Sequence, residues 1–115
     1  MERDCIFCLI AGHRAPAAIL YEDDRCVVFR DSSPQAPVHL LVVPRRHVAS
    51  LNEALDGDAA LLGHLVAVAG RAARDQGVGG TGYRVVINTN REAGQTVGHL
   101  HLHVLGGRLF GWPPG

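Results

Sequence analysis

The sequence predicts an α+β domain built on an antiparallel sheet. Three observations carry this: one long segment with helical spacing of apolar residues, a short apolar stretch near the N-terminus, and about five short runs rich in β-branched residues, several separated only by turns. At 115 residues the chain is the size of one domain, expected to span residues 1–115, and its 47% hydrophobic content suffices for a real core.

Residues 5–11 are short and apolar and read as one or two helical turns. Residues 17–21 and 25–30 read as strands around Glu22-Asp23-Asp24, a hairpin turn. Pro34 and Pro37 mark a loop, and residues 38–43 form an apolar strand that Pro44 stops. Asp56 or Asp58 can cap a helix running to about Gln76, with Gly77 as its stop signal. On that helix Leu61, Leu62, Leu65, Val66, Val68 and Ala69 form a wide apolar face. Gly79-Gly80 is a loop, and residues 83–89 and 100–105 are the last two strands.

The last strand carries the chemistry. In His99-Leu100-His101-Leu102-His103-Val104, side chains on a strand alternate between faces, so the three histidines share one face and the apolar residues the other. Imidazole is a nucleophile, proton carrier or metal ligand near neutral pH. A single metal ion on all three is disfavoured, because ligands at alternate positions of a flat strand spread over about 13 Å. Two further patterns, one beside this row and one near the N-terminus, bear on function. Gly94-Gln95-Thr96-Val97-Gly98 is a glycine-bounded loop whose side chains and N–H groups can donate to a phosphate. Cys5-Ile6-Phe7-Cys8 has the spacing of half a zinc site or of a redox pair.

The run from Gly94 through the histidines to Gly106-Gly107 resembles the signature of the histidine triad family. Asp31-Ser32-Ser33-Pro34-Gln35-Ala36-Pro37-Val38-His39 and the ending Trp112-Pro113-Pro114-Gly115 look like its Hint branch, the histidine triad nucleotide-binding proteins. The resemblance covers nearly the whole chain. It implies a five-stranded antiparallel sheet with one long and one short helix, joined in a homodimer into a ten-stranded sheet with the long helices facing each other. From the residues alone, the broad apolar face of the long helix fits packing on its own sheet equally well.

The resemblance also implies the activity: hydrolysis of nucleoside 5′-phosphoramidates or acyl-nucleotides, on adenosine or guanosine, through a nucleotidyl-histidine intermediate. Dinucleoside polyphosphate hydrolysis and a nucleotide-binding regulatory module are the rivals. By position His101 is then the nucleophile, with His99 and His103 orienting it and stabilising phosphate charge. Asn88, Gln95 and Thr96 contact phosphate, Asp31 holds the ribose hydroxyls, and Ile6, Phe7, Ile10 and Phe29 line the slot for the base. No catalytic metal is required. Several bacterial relatives complete a structural zinc site with two cysteines and two histidines, which here are Cys5, Cys8, His47 and His99. His13, His39 and His64 are expected to be surface or structural residues. The sequence departs from the branch pattern at Ser32, beside the base, at Gly98, and at Asn90, where glycine is frequent and where asparagine tolerates left-handed geometry.

Composition bounds the partners. Basic and acidic residues number 11 each, so nothing suggests a nucleic-acid or membrane surface. All the basic residues are arginine, which excludes a lysine nucleophile or phosphate clamp. No apolar run approaches the roughly 20 residues of a membrane helix, and the start lacks a leader pattern, so a cytoplasmic protein is expected.

Overall fold

The computed structural model describes residues 4–115; residues 1–3, part of the stretch read for a leader pattern, lie outside them. The elements run α1 (Ile6–Ala11), β1 (Ile19–Glu22), β2 (Cys26–Arg30), β3 (Val38–Pro44), α2 (Ala59–Asp75), β4 (Tyr83–Val86) and β5 (Leu102–Gly106). The strands form one antiparallel sheet in the order β1-β2-β3-β5-β4. This is the predicted α+β architecture. Among the described residues no helix is long and apolar enough to cross a membrane.

The sheet divides two cores by the period-2 alternation of its strands. On one face Cys26, Val28, Leu40, Val42, Leu102 and Val104 meet Leu65, Val68, Ala69, Ala72 and Ala73 of α2. Those helix positions recur at the spacing of one helical stripe, and the alanine- and leucine-rich sequence favours helix. Each fully buried leucine here contributes roughly 2 kcal/mol. On the other face Phe7, Ile10 and Ala11 of α1 cover Val27, Phe29, Leu41 and Val43. Arg45 fixes α1 there, donating to the Ala11 carbonyl at 2.7 Å and to the Asp23 carbonyl at 2.6 Å.

The boundaries differ from expectation where long-range pairing decides them. β5 begins at Leu102 because the Leu100 N–H donates to the Val48 carbonyl, at 2.6 Å, and not to a strand. β4 then stops at Val86, which pairs with His103, because β5 offers no ladder further on. β3 runs through Pro44, opposite Cys26 at the end of its ladder, where a missing N–H is tolerated. Asp58 is the α2 N-cap without a capping side-chain bond; its carboxylate pairs with Arg46 at 2.7 Å. Gly77, at φ +82°, is the predicted helix stop. Two 3₁₀ turns, Leu51–Ala54 and Arg91–Ala93, are too short to carry a periodic signal.

Asn90 departs from the left-handed geometry expected of it. Its φ of 66° is combined with a ψ of −173°, a region that only glycine occupies without strain. Gln95 holds it there: its Oε1 accepts the Asn90 N–H at 2.9 Å and its N–H donates to the Asn90 carbonyl at 3.1 Å. Asn90→Gly is expected to raise stability by about 1 kcal/mol, the strain relieved less the added freedom of the unfolded chain. Denaturant unfolding checks this, and a loss of stability would show that the side chain is needed.

Candidate active site

The three histidines lie on the α1 side of the sheet, as alternation requires, while Leu100, Leu102 and Val104 lie in the α2 core. Each has a different surrounding, and the hydrogen bonds fix a different tautomer for each.

His101 is almost wholly buried, with Phe7 edge-on at 5.1 Å between ring centroids. Its Nδ1 lies 2.7 Å from the His99 carbonyl, which can only accept. Nδ1 therefore carries the hydrogen and Nε2 keeps its lone pair. His103 is the opposite case. The Gln35 N–H donates to Nδ1 of His39 at 3.0 Å, so a neutral His39 carries its hydrogen on Nε2. That nitrogen lies 2.9 Å from Nδ1 of His103 and 3.3 Å from Oδ2 of Asp31. Donation to the nearer partner makes Nδ1 of His103 an acceptor and leaves its hydrogen on Nε2. One ring thus offers a nucleophilic nitrogen and its neighbour, 5.0 Å away between centroids, offers a donor.

His39 was expected to be structural or at the surface. It is buried and fixes His103, so it belongs to the site. The sequence carries only part of the signal: His39 shares one face of β3 with the apolar Leu41 and Val43, and it is the register pairing Leu41 with His103 that brings the two rings together. His13 and His64 stand outside the site and hydrogen-bond through Nε2 to the carboxylates of Glu22, at 2.9 Å, and Asp23, at 2.7 Å.

A cavity of about 610 Å³ opens over this row. Ile6, Phe7, Ile10, Phe29 and Leu41 make an apolar wall, and Asp31, Ser32, Thr96, His101 and His103 are among the other lining residues. Oδ1 of Asp31 accepts the Ser33 N–H at 2.8 Å. Gln95 and Asn88 do not line this cavity. The Gln95 amide donates to the carbonyls of Ala49, at 2.7 Å, and Val97, at 3.0 Å, so this side chain braces the loop. Asn88 is half-buried in the connection after β4.

His99 turns away from the cavity. Its Nε2 donates to the Pro44 carbonyl at 2.8 Å, which leaves Nδ1 bare. Nδ1 lies 3.2 Å from the Cys5 sulfur and 3.5 Å from that of Cys8, and Nδ1 of His47 lies 3.3 Å from the Cys8 sulfur. All four ligand atoms fall within 4.8 Å of one another. Tetrahedral zinc with sulfur at about 2.3 Å and nitrogen at about 2.0 Å separates its ligand atoms by roughly 3.4–3.8 Å. The donor set, the spacing and the oriented His99 ring fit a structural zinc ion. The Cys8 N–H also donates to the Cys5 sulfur, at 3.3 Å, so Cys5 caps α1 as well as facing the site. Cys26 contributes nothing here: burial foremost, then the nearby Asp23, pushes its thiol up to about 12.

A HIT domain model matches residues 13–109. The chain belongs to the HIT domain family. An uncharacterized HIT-like protein of Synechocystis sp. is 53% identical over 115 residues, the whole of both chains. A HIT family hydrolase from Legionella pneumophila superposes with a TM-score of 0.94 at 46% identity, over 97% of this chain and 100% of that one. A Zn-bound histidine triad family protein from Mycobacterium smegmatis superposes with a TM-score of 0.78 at 34% identity, over 91% of this chain and 76% of that one. The histidine row and cavity of this HIT domain therefore stand on the five-stranded sheet that the sequence predicts.

Burial gives the HIT domain site a pH signature. His103 is held down to about 4 from an ordinary 6.5, by burial first and then by its neighbours His101 and His39. His39 and His99 move in the same direction, again chiefly through burial. Between about pH 6.5 and 4 the unfolded chain binds a proton at His103 that the folded chain refuses. Stability is expected to fall as pH drops through that window. His103→Asn should flatten part of the fall in thermal unfolding temperature; an unchanged slope would refute it.

Proposed function

We propose that this HIT domain is a nucleoside phosphoramidase-like hydrolase of the Hint type. The tautomer of His101 is the observation that carries the reading: a bare nitrogen inside a cavity that also holds a donor, a carboxylate and an apolar wall. The purine base stacks among Ile6, Phe7, Ile10 and Phe29, and the ribose hydroxyls donate to Asp31. Nε2 of His101 attacks phosphorus and the bond to the leaving group breaks; an amine departs with a proton taken from solvent, and an acyl group departs as its carboxylate. Nε2–H of His103 and the hydroxyl of Thr96 donate to the phosphoryl oxygens as charge builds on them. The His99 carbonyl holds Nδ1–H of the cationic nucleotidyl-imidazole. Water then attacks phosphorus, the bond to Nε2 breaks, and the nucleoside monophosphate leaves.

Zinc on Cys5, Cys8, His47 and His99 supplies rigidity and no chemistry, since four protein ligands close its coordination. We also infer that the domain forms a homodimer. Among the described residues the outer edge of β4 pairs with no other strand, Tyr83 and Val85 on it are exposed, and Val66 of α2 is exposed nearby.

Turnover of an adenosine 5′-phosphoramidate against a diadenosine polyphosphate tests the assignment. Faster phosphoramidate cleavage is expected. Preference for the polyphosphate overturns it, and tight nucleotide binding with no turnover of either would favour a regulatory module.

A further inference from the structure

The C-terminal segment leaves β5 against the loop that leads into β3 and His39. Gly106 pairs with Val38, and Gly107, at φ +91°, passes so close to Pro37 that a Cβ there would lie 2.9 Å from the proline Cβ. Arg108 then crosses to the loop and donates from Nε to the Gln35 carbonyl at 3.1 Å. Its guanidinium lies over the Phe110 ring at 4.2 Å, and that of Arg84 on β4 lies over the same ring at 5.2 Å. Arg84 also donates to the Gly111 carbonyl. The segment is thus clamped to the sheet through Phe110, and Arg108 is the side chain that extends the clamp to Gln35.

Gln35 is the residue whose N–H dictates the tautomer of His39, and hence of His103. Its own amide side chain donates to the Ser33 carbonyl at 3.0 Å, and the Ser33 N–H binds Asp31. Little else fixes this turn: residues 32–35 are exposed, so its geometry depends on these few bonds. A charge-assisted bond from a stacked arginine is among the stronger of them.

We propose that Arg108 is a positioning residue for the histidine row. Through Gln35 and His39 it keeps the hydrogen of His103 on Nε2, aimed into the cavity. The catalytic part of this inference rests on the proposed nucleotide hydrolysis; the tautomer part does not.

Arg108→Met keeps the stem over Phe110 and removes the donors. Two readouts test it in the full chain. In the absence of substrate, nitrogen-15 spectra of the histidine rings should show His103 as the single Nε2–H form in the unaltered protein. In Arg108→Met they should show it averaged with the Nδ1–H form. With adenosine 5′-phosphoramidate, kcat should fall on the order of tenfold while KM stays within about twofold. In a His39→Gln background the same change should cost nothing further, because the intermediary is gone. An unchanged His103 signal overturns the proposal whatever the rates. So does an unchanged kcat, or a loss that multiplies with that of His39→Gln. If the unaltered protein cleaves no nucleotide, the functional reading fails and the spectra alone decide the role of Arg108.

Discussion

His101→Ala is expected to lower phosphoramidate turnover by on the order of 10⁴-fold or more, the scale seen when a nucleophile is deleted from an otherwise intact site. Binding of the nucleoside monophosphate should survive, because Asp31 and the apolar wall of Ile6, Phe7, Ile10 and Phe29 do not depend on the ring. Phosphate label trapped by acid-free quenching should appear on the unaltered protein and be absent from the variant. Equal labelling of the two would move the nucleophile elsewhere. His103→Asn is expected to be far milder, since it removes a donor and leaves the attacking nitrogen in place.

The second large effect concerns the metal. Cys5→Ser with Cys8→Ser should cost about 3 kcal/mol, or roughly 10 °C in thermal midpoint for a domain of this size. These two residues open α1, and Cys5 caps it, so loosening them frees the helix that carries Phe7 and Ile10. Chelation should reproduce the loss, and zinc should restore it in the unaltered protein only. Elemental analysis showing well under one zinc per chain after supplementation would remove the site. Any turnover by the folded, metal-free domain should still require His101.

The sequence was most legible where chemistry and period coincide. Alternation placed the histidines opposite Leu100, Leu102 and Val104 without any knowledge of neighbours. The spacing of Cys5 and Cys8 and the family resemblance together named a ligand set that the fold gathers within 4.8 Å. What was not legible depends on partners distant in sequence. His39 sits 64 residues from His103, and its role follows from strand register and a backbone N–H, neither of which a local pattern reveals. The resemblance makes Gln95 a phosphate contact, and no local pattern shows that its side-chain amide donates to the carbonyls of Ala49 and Val97. The short reach of β4 was set by its neighbour, and Asn90 by a loop closure.

The partition of the sheet into two cores constrains which changes in length the chain can absorb. A residue added within 94–98 extends a loop and leaves the alternation beyond it in frame. A residue added or removed between His99 and Val104 moves everything on one side of it to the opposite face. Imidazoles would then enter the α2 core, and leucines would replace them in the cavity. This stretch therefore tolerates exchange of side chains but not a change of frame, and single insertions along residues 94–104 should pass from tolerated to lethal for folding at His99.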